Sequence, residues 1–286
     1  MGHMGQGESV TRYYDQSTAL FTRYGPGRGL GAIHRPVWGP GVSRREEAIH
    51  YSSVKLLAHL QNRQPASVLD LGCGVGGTLC YLSERYRSKY TGITISPKQA
   101  QQASSWLGPA ATRLGSEIVI HTGDFTEAAT FDCLETAFDV MYAIESFVHV
   151  EDPGAFFQTL SQVGRPGGSL ILIDDFQKKA PVRDSVERSE LEKFVWGWRA
   201  PSVLTHERLI SAAESAGFEL EDFDDWTAYV SAHGLRDYVL RAFSPVLSLG
   251  TRRSEWCRSM VGGNALKQLL RREVIGYGFF RFSLTR

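Results

Sequence analysis

The stretch Val68–Gly77, which reads Val-Leu-Asp-Leu-Gly-Cys-Gly-Val-Gly-Gly, decides the fold of this chain. An apolar run with a β-branched residue leads into it, and a helical pattern over residues 78–86 leads out of it. A buried strand, a glycine turn and a helix in this order are typical of the first unit of an open α/β sheet. Gly72, Gly74 and Gly76 let the backbone pass close to a ligand, where a Cβ atom would collide. The stretch therefore predicts a ligand pocket, although dinucleotide-binding proteins use similar turns.

Four further strand patterns follow the glycine turn, and helical patterns lie between most of them. These strands are predicted over residues 90–95, 118–121, 138–144 and 169–173. Alternating strands and helices indicate an α/β protein with a mostly parallel sheet and helices on both faces. Ligands bind such sheets beyond the carboxyl ends of the strands. Polar side chains fall at those ends, and we expect them to line one site: Asp70, Thr94, Asp124, Glu145 and Asp175.

Two regions flank the predicted core at residues 65–176. Residues 1–8 begin with an apparent cloning remnant. Residues 9–64 predict an aromatic helix followed by an ordered flap rich in glycine and proline. A second helix then begins at a capping box of Ser43 and Glu46. Residues 177–286 predict the remainder of the fold with a helical cap insertion at about 227–272. Its other elements are helices at 185–198 and 205–217, a strand at 218–226 and an antiparallel closing strand at 275–284.

The composition is that of an ordinary globular protein. The chain of 286 residues carries 31 basic and 31 acidic side chains, so no global field favours nucleic acid or a membrane surface as a partner. The sequence shows no signal peptide and no apolar run of membrane-spanning length. The four cysteines, at 73, 80, 133 and 257, lack metal-ligand spacing, and we expect reduced thiols in a cytoplasmic protein.

A series of motifs over about residues 65–175 resembles the class I S-adenosylmethionine-dependent methyltransferases. The glycine turn is followed by Gly-Ile-Thr-Ile-Ser-Pro-Lys-Gln at 92–99, Gly-Asp-Phe at 123–125 and Arg-Pro-Gly-Gly at 165–168. The resemblance implies a Rossmann-like fold with a seven-stranded, mostly parallel sheet, helices on both faces, a helical cap and an amino-terminal flap. It also implies that S-adenosylmethionine is the cofactor and that it contacts Asp70, Gly72, Gly74, Gly76, Thr94, Gln99, Asp124 and Phe125.

The resemblance assigns each of these residues a part of the cofactor. The glycine turn and Asp70 would hold the methionine part, and Thr94 and Gln99 would share the ribose contacts. Asp124 would accept from the adenine amino group, with Phe125 against the adenine ring. Many relatives have an acid in place of Thr94. The pattern found here matches a subgroup that includes carbon methyltransferases of sterols, tocopherol precursors and acyl chains.

Three further motifs are similar to bacterial isoprenoid C-methyltransferases. They are Tyr-Tyr-Asp-Gln-Ser-Thr-Ala-Leu-Phe-Thr-Arg-Tyr-Gly at 13–25, Gly-Ala-Ile-His-Arg-Pro-Val-Trp-Gly-Pro-Gly-Val at 31–42 and Ala-Ile-Glu-Ser-Phe-Val-His-Val at 143–150. This similarity implies a small isoprenoid substrate, either a prenyl diphosphate such as geranyl or farnesyl diphosphate or a prenylated alkaloid. It also implies a homo-oligomer.

Methylation of an alkene needs an aligned double bond, aromatic faces for the resulting carbocation and a base that removes a proton. Glu145 is the candidate base and cation stabiliser, although it would also suit a role in ordering the loop or binding the cofactor. His149 is a candidate proton relay and would equally suit the role of a satisfied loop histidine. Candidate substrate-binding residues are aromatic or basic: Tyr24, Arg28, His34, Arg35, Trp38, Phe147 and Trp196. The aromatic residues would also suit the core of a cap, and the basic residues a solvated surface.

A diphosphate substrate could bring a bound magnesium ion, which an acidic side chain of this protein could help to hold. Asp175, after the fifth predicted strand, is the candidate ligand, although adjacent acids in such a place also cap or pair. Two other function classes stay open. One is an O- or N-methyltransferase of a small natural product, with His149 as its base, and the other is a cofactor-binding scaffold without catalysis.

Overall fold

A computed structural model of the protein describes residues 34–134, 137–230 and 255–285. Seven strands form one sheet: β1 Ser67–Leu71, β2 Lys89–Thr94, β3 Glu117–Thr122, β4 Phe138–Ile144, β5 Gly164–Gln177, β6 Phe218–Asp225 and β7 Ile275–Leu284. Their spatial order is β3-β2-β1-β4-β5-β7-β6. The first five strands are parallel, and β7 runs antiparallel to both of its neighbours. The expected α/β architecture with a mostly parallel seven-stranded sheet is confirmed.

The helices are α1 Arg45–Arg63, α2 Gly77–Ser83, α3 Pro97–Leu114, α4 Pro153–Val163, α5 Ser185–Trp198, α6 His206–Ser215, α7 Thr227–Val230 and α8 Glu255–Arg271. Side-chain oxygens cap several of them, and the sequence predicts two of these caps, at Ser96 and Thr205. Ser96 Oγ accepts from the amide of Gln99 at 3.2 Å, and Thr205 Oγ1 accepts from the amide of Arg208 at 3.3 Å. Such caps satisfy amide groups that have no partner within the helix.

Three expected boundaries are corrected. The first helix is opened by the Glu47 carboxylate, which accepts from the amides of Ser43 and Arg44 at 3.0 Å, so the predicted capping box is displaced by one residue. The helical pattern that Ser96 and Pro97 open predicts an end near residue 107, but α3 continues to Leu114. The Arg-Pro-Gly-Gly segment at 165–168 lies inside β5, where the pairing with β4 changes register between Phe138 and Val140.

Two apolar layers enclose the sheet. One layer packs α4 and α6 on β1, β4, β5 and β7, and the other packs α1, α2 and α3 on the opposite face. All five residues of β1 are buried, because a parallel strand in the centre of the sheet is covered on both faces. Only the strand ends are then open to a ligand, and the carboxyl ends of β1 to β5 meet at one edge of the sheet.

The cap packs α5 against α8. A Cβ on Gly197 would lie 2.6 Å from the Cα of Gly262, so the two helices touch along a glycine contact. Trp198 Nε1 donates to the carbonyl of Ser259 at 3.1 Å across the same contact. Helices α7 and α8 fall within the expected cap insertion at about 227–272, which stays a prediction, and residues 231–254 lie outside the described part. Among the helices that the structure describes, none combines the length and apolar character needed to cross a membrane.

Candidate active site

The glycine turn after β1 is held by two neighbouring strands. The amides of Gly72 and Cys73 donate to the carbonyl of Ile93 at 2.9 and 2.8 Å, and Ser146 Oγ donates to the carbonyl of Leu71 at 2.6 Å. Gly72 has a φ of +97°, and a Cβ there would lie 2.7 Å from the Cβ of Ser146. Both the conformation and the space exclude a side chain. The turn therefore presents bare backbone at the edge of the sheet.

Asp70 is buried beside this turn, with one carboxylate oxygen in use. Tyr142, its register partner on β4, donates from Oη to Oδ2 at 2.8 Å. Burial raises the pKa of the Asp70 carboxyl to about 7, although the bond from Tyr142 opposes the rise. Oδ1 accepts no hydrogen bond from the residues that the structure describes. A buried carboxyl with an open oxygen suits a cationic group such as an amine.

Thr94 and Gln99 form a buried pair beyond β2. Thr94 Oγ1 donates to Gln99 Oε1 at 2.8 Å, and both residues are almost fully buried. The amide of Gly123 donates to the carbonyl of Thr94 at 3.0 Å, which brings the turn after β3 alongside this pair. The structure thus joins the two residues that the resemblance assigns to the ribose. Their role as ribose ligands stays a prediction.

The turn after β3 orients Asp124 and places Phe125 beside the glycine turn. Asp124 Oδ1 accepts from the amide and the hydroxyl of Thr126, at 2.9 and 2.7 Å. The Phe125 ring packs edge-on against Phe156 with the ring centres 6.0 Å apart. An atom of the Phe125 ring lies 3.5 Å from the position that a Cβ on Gly72 would take. An aromatic face and an oriented carboxylate thus lie next to the bare backbone of the turn.

These residues fit S-adenosylmethionine. Bare backbone at Gly72, an open carboxylate oxygen at Asp70, the Thr94–Gln99 pair and the Phe125 ring follow one edge of the sheet. They offer partners to the amino acid, ribose and adenine parts of the cofactor in that order. When bound, the cofactor supplies an electrophilic methyl group on a positively charged sulfur.

Arg35 joins two carboxylates at the ends of β4 and β5. Its Nη1 and Nη2 donate to Oδ1 and Oδ2 of Asp175 at 2.9 and 2.7 Å, and its Nε donates to Oε1 of Glu145 at 2.9 Å. The guanidinium also lies over two aromatic rings. Its Cζ is 4.5 Å from the ring centre of Tyr277 and 5.6 Å from the ring centre of Trp198. Through the partly buried Arg35, the predicted flap contacts the ends of β4 and β5.

Glu145 has one anchored oxygen and one open oxygen. Oε1 accepts from the amide and Nε of Arg35 at 3.0 and 2.9 Å and from Tyr277 Oη at 3.0 Å. Oε2 accepts from none of the described residues. The backbone of Glu145 has a φ of +51°, which is uncommon for a residue other than glycine and clusters at functional sites. The left-handed conformation, together with the three donors, sets the direction of the carboxylate.

The acids around Arg35 outnumber the single guanidinium. Burial, followed by the charge of Asp175, raises the pKa of Asp174 well above its usual range. Burial also raises the pKa of Asp175, although Arg35 opposes the rise. Burial alone would lower the pKa of Arg35, but the two carboxylates outweigh it and keep the guanidinium charged. The cluster thus retains a proton to a higher pH than isolated carboxyls would.

The remaining described candidates in the predicted flap lie near this cluster. His34 Nδ1 is 3.4 Å from the carbonyl of Arg35, and burial lowers the pKa of the imidazole, which favours the neutral ring. His34 Nε2 is buried and has no hydrogen-bond partner in the described ranges. The amide of Trp38 donates to the carbonyl of Tyr229 at 2.8 Å, and the Trp38 residue is 37% exposed.

Several predicted residues have other surroundings than expected. Phe147 lies in the apolar core against Phe156, with the ring centres 5.3 Å apart, so its expected contact with substrate is not supported. Trp196 is half-exposed on α5, and the guanidinium of Arg258 lies 4.5 Å from its ring centre. Tyr24 and Arg28 lie outside the described residues.

His149 and Glu145 have different partners. The turn after β4 is a single 3₁₀ turn, Phe147–His149, and not the helical segment that would place the two side chains on one face. His149 Nδ1 is 3.0 Å from the carbonyl of Arg199, and burial lowers the pKa of the imidazole. The expected proton relay between them therefore stays a prediction without a hydrogen bond to carry it.

The expectation that Asp175 holds magnesium does not fit the structure. Both of its oxygens accept from Arg35, and the adjacent Asp174 accepts from the amides of Val148 and Asp175 at 3.1 and 2.8 Å. Within the part of the chain that the structure describes, no group of three or more potential ligands could hold a metal ion. The four cysteines are free thiols, and burial raises the pKa of Cys73, the thiol in the glycine turn.

Sequence reasoning missed three residues that shape this site. Tyr277 and Tyr142 orient the carboxylates of Glu145 and Asp70, and Ser146 joins the end of β4 to the glycine turn. Tyr277 is 132 residues from Glu145 along the chain. The alternating pattern of its strand predicted β7, but no local signal indicates which acid its hydroxyl would reach.

A family model described as a methyltransferase domain matches residues 44–222. The chain is 28% identical over 190 residues to a probable chloroplastic tocopherol O-methyltransferase of Oryza sativa subsp. japonica. The matched region covers 65% of this chain and 50% of the relative. The chain therefore spans half the length of that relative. It is also 28% identical over 219 residues to the O-methyltransferase resE of Aspergillus sclerotiorum, with 76% and 78% of the two chains covered.

Two solved structures share the fold over nearly the whole chain. The cyclopropane synthase MmaA2 of Mycobacterium tuberculosis has a TM-score of 0.75 at 17% identity and covers 99% of this chain and all of its own. The geranyl diphosphate C-methyltransferase of Streptomyces coelicolor A3(2) has a TM-score of 0.66 at 13% identity, with 99% and 100% covered. The match to the methyltransferase domain spans more than half of the chain. The chain therefore belongs to the methyltransferase family and is an S-adenosylmethionine-dependent methyltransferase with a Rossmann-like class I fold.

Proposed function

We propose that the enzyme adds a methyl group to an alkene carbon of an isoprenoid, such as geranyl or farnesyl diphosphate. The observation that carries the proposal is the carboxylate of Glu145, which is anchored through Oε1 and open at Oε2. The next residue, Ser146, donates to the carbonyl of Leu71 beside the glycine turn, which supports a place for Glu145 next to the proposed cofactor site. An oriented, open carboxylate in this place suits the removal of a proton from a substrate.

The proposed reaction needs no deprotonated heteroatom. The π electrons of the alkene form the new bond to the methyl carbon, and the electron pair of the broken sulfur–carbon bond stays on sulfur. The substrate is left as a carbocation. Oε2 of Glu145 then takes a proton from a neighbouring carbon, and the electron pair of that carbon–hydrogen bond forms the new double bond. Alignment of the reacting atoms can contribute on the order of 7–11 kcal/mol to the acceleration.

Charge beside Glu145 bears on the carbocation of the proposed reaction. The rings of Tyr277 and Trp198 have their centres 4.5 and 5.6 Å from Cζ of Arg35, so both are engaged by that guanidinium. An aromatic face stabilises a cation over it by about 0.5–2 kcal/mol, which here helps to hold Arg35 in place. The negative charge of Glu145 is the group that would stabilise the carbocation. The same carboxylate would thus stabilise the carbocation and remove its proton.

The choice of substrate is supported by similarity. A solved structure with the same fold is named as a geranyl diphosphate C-methyltransferase, and the rice relative is named for tocopherol. If the substrate is a diphosphate, we propose that any magnesium enters with it, because Asp175 is occupied by Arg35. Arg28→Ala should then weaken the use of diphosphates much more than of neutral prenylated compounds, and an equal loss on both would contradict a phosphate contact.

A second candidate is O-methylation of a small natural product. Two relatives are named O-methyltransferases, and His149 offers a neutral buried imidazole. Its Nδ1 is 3.0 Å from the carbonyl of Arg199, so a proton on Nδ1 would be held there and Nε2 would be the basic nitrogen. In that reaction Glu145 would not be needed as the base.

The two candidates separate by the position of the transferred methyl group. The enzyme is incubated with methyl-labelled cofactor and a panel of isoprenoid diphosphates and neutral prenylated compounds, with and without magnesium, and the products are examined by mass spectrometry and NMR. We expect the label on carbon. Glu145→Gln should bind the cofactor normally but lose turnover. The matched control Glu214→Gln, at an exposed position on α6, should retain normal turnover. Label on oxygen, or near-normal turnover by Glu145→Gln, would contradict the proposal.

A further inference from the structure

We infer that Asp175 is a positioning residue for this reaction: by holding Arg35 in a two-pronged ion pair, it keeps one oxygen of Glu145 open. The inference rests on the proposed role of Glu145 as the base. Asp175 itself touches only Arg35 through its carboxylate, so it would act through that arginine and not on the substrate.

The geometry divides the donors of Arg35 between two acids. The Nη1 and Nη2 edge meets both oxygens of Asp175 at 2.9 and 2.7 Å, whereas only Nε of the side chain reaches Glu145, at 2.9 Å. A guanidinium binds a carboxylate most strongly through two parallel hydrogen bonds. Asp175 thus takes the stronger mode and leaves Glu145 the weaker one.

Without Asp175 the stronger mode would become available to Glu145. The other nearby acid, Asp174, has both oxygens engaged by the amides of Val148 and Asp175. Arg35 could then turn its Nη edge toward Glu145 and bind Oε2 as well as Oε1. That arrangement would occupy the oxygen that the proposed reaction needs and would make the carboxylate less basic.

The position of Asp175 is set by the sheet. It lies near the end of β5, its Cα pairs with that of Tyr277 on β7, and its side chain is 0% exposed. Tyr277 in turn donates to Oε1 of Glu145. Two neighbouring strands therefore hold the partner of Arg35 and the third donor to Glu145 in one register, which is more rigid than a site on loops.

The charged and titratable groups facing Glu145 set the expected pH dependence. They are Arg35 and His34 from the flap segment, Asp174 and Asp175 from β5, and Tyr277 from β7. Removal of the Asp175 charge leaves Arg35 to act on Glu145 more fully, which stabilises the ionised carboxylate. The acid limb of kcat should therefore move to lower pH. Removal of the Tyr277 hydroxyl deletes a donor to the ionised carboxylate and should move the acid limb to higher pH.

The test compares Asp175→Asn with Tyr277→Phe and the wild-type enzyme, with KM, kcat, its pH profile and cofactor affinity measured for each. We expect kcat of Asp175→Asn to fall about 10²-fold, because misplacement of a reacting group by about 1 Å has that effect. The cofactor Kd should stay the same, and the acid limb should move to lower pH, opposite to Tyr277→Phe. A purely structural role of Asp175 would reduce the amount of folded enzyme and would not lower kcat per folded molecule at an unchanged cofactor Kd. A kcat within about twofold of wild type, or a limb displaced to higher pH, would overturn the inference.

A second variant keeps the test decisive if Asp175→Asn does not fold. Arg35→Lys retains the charge but replaces the planar fork with a compact ammonium, which cannot bind Asp175 through two parallel hydrogen bonds from two nitrogens while a third nitrogen reaches Glu145. It should lose kcat while binding the cofactor, and normal kcat would overturn the inference. Normal turnover by Glu145→Gln would overturn the proposed function and this inference with it. Loss of turnover in Glu145→Gln beside full activity in Asp175→Asn and Arg35→Lys would overturn the inference alone.

Discussion

Asparagine in place of Asp70 should uncouple cofactor binding from pH. Burial raises the pKa of this carboxyl from 3.8 to about 7. At about 1.4 kcal/mol for each pH unit, ionisation of Asp70 in the free enzyme costs roughly 4 kcal/mol more than in water. A bound cationic ammonium group would offset that cost, so binding of the cofactor should release the proton. Below pH 7 the cofactor Kd should therefore rise about tenfold for each pH unit.

The assay is titration calorimetry of the enzyme with S-adenosylhomocysteine, the demethylated form of the cofactor. It is carried out between pH 5.5 and 8.5 in buffers of different ionisation enthalpy. We expect release of about one proton at pH 6 and almost none at pH 8.5. Asp70→Asn should bind more weakly and with no proton release. The control Asp132→Asn, at an exposed turn, should behave as the wild type does. A Kd that does not change over this pH range in the wild type would refute the reasoning.

The same carboxyl predicts a stability effect of a definite sign. Its pKa in the folded state lies above that in the unfolded state, so the folded state binds more protons between about pH 4 and 7 and loses stability as pH rises through that range. Without cofactor, Asp70→Asn should unfold at a higher temperature than the wild type at pH 8, and at nearly the same temperature at pH 4. Thermal unfolding at the two pH values checks this. A lower unfolding temperature for the variant at pH 8 would contradict the assigned burial cost.

Three further predictions concern the pocket. Gly72→Ala should destabilise the fold by about 1–3 kcal/mol and abolish cofactor binding, because φ is +97° and the added Cβ would lie 2.7 Å from Ser146; urea unfolding and calorimetry measure both effects. Thr94→Val removes the donor to Gln99 Oε1 and should weaken cofactor binding about tenfold without loss of fold; an unchanged Kd would exclude a role of this pair in binding. Tyr277→Phe removes one of three donors to Glu145 and should lower kcat about fivefold to tenfold with little change in cofactor Kd; a loss as large as that of Glu145→Gln would show that the three donors are not comparable.

The agreement between sequence and structure is best where the signal is local. The closing strand Ile275–Leu284 and helix Ser185–Trp198 have the expected bounds, because alternation and helical periodicity are properties of neighbouring residues. The glycine turn follows the same reasoning, since Gly72 needs a positive φ whatever surrounds it. The error in the predicted capping box is local as well. The capping box is displaced by one residue because Glu47, rather than Glu46, reaches back to the preceding amides.

The substrate side of the site was less predictable. Arg35 was expected to bind the substrate, but in the structure it is held by Asp175 and Glu145. Phe147 was expected to face a substrate, but the short 3₁₀ turn directs its ring into the core. In each case the residue type permits both roles, and the direction of the side chain depends on elements far away in the chain.

By itself the sequence determined the fold class, the alternation of strands and helices in the core and which polar residues follow the strands, because each of these follows from short-range periodicity, glycine conformation and the rule that parallel strands end together. Only the tertiary structure decided that Arg35 divides its donors between Asp175 and Glu145 and that Tyr277 supplies another donor to Glu145. Those contacts join residues more than one hundred positions apart. They depend on the register of β5 with β7 and on where the flap segment crosses the sheet, and these are set by packing of the whole molecule.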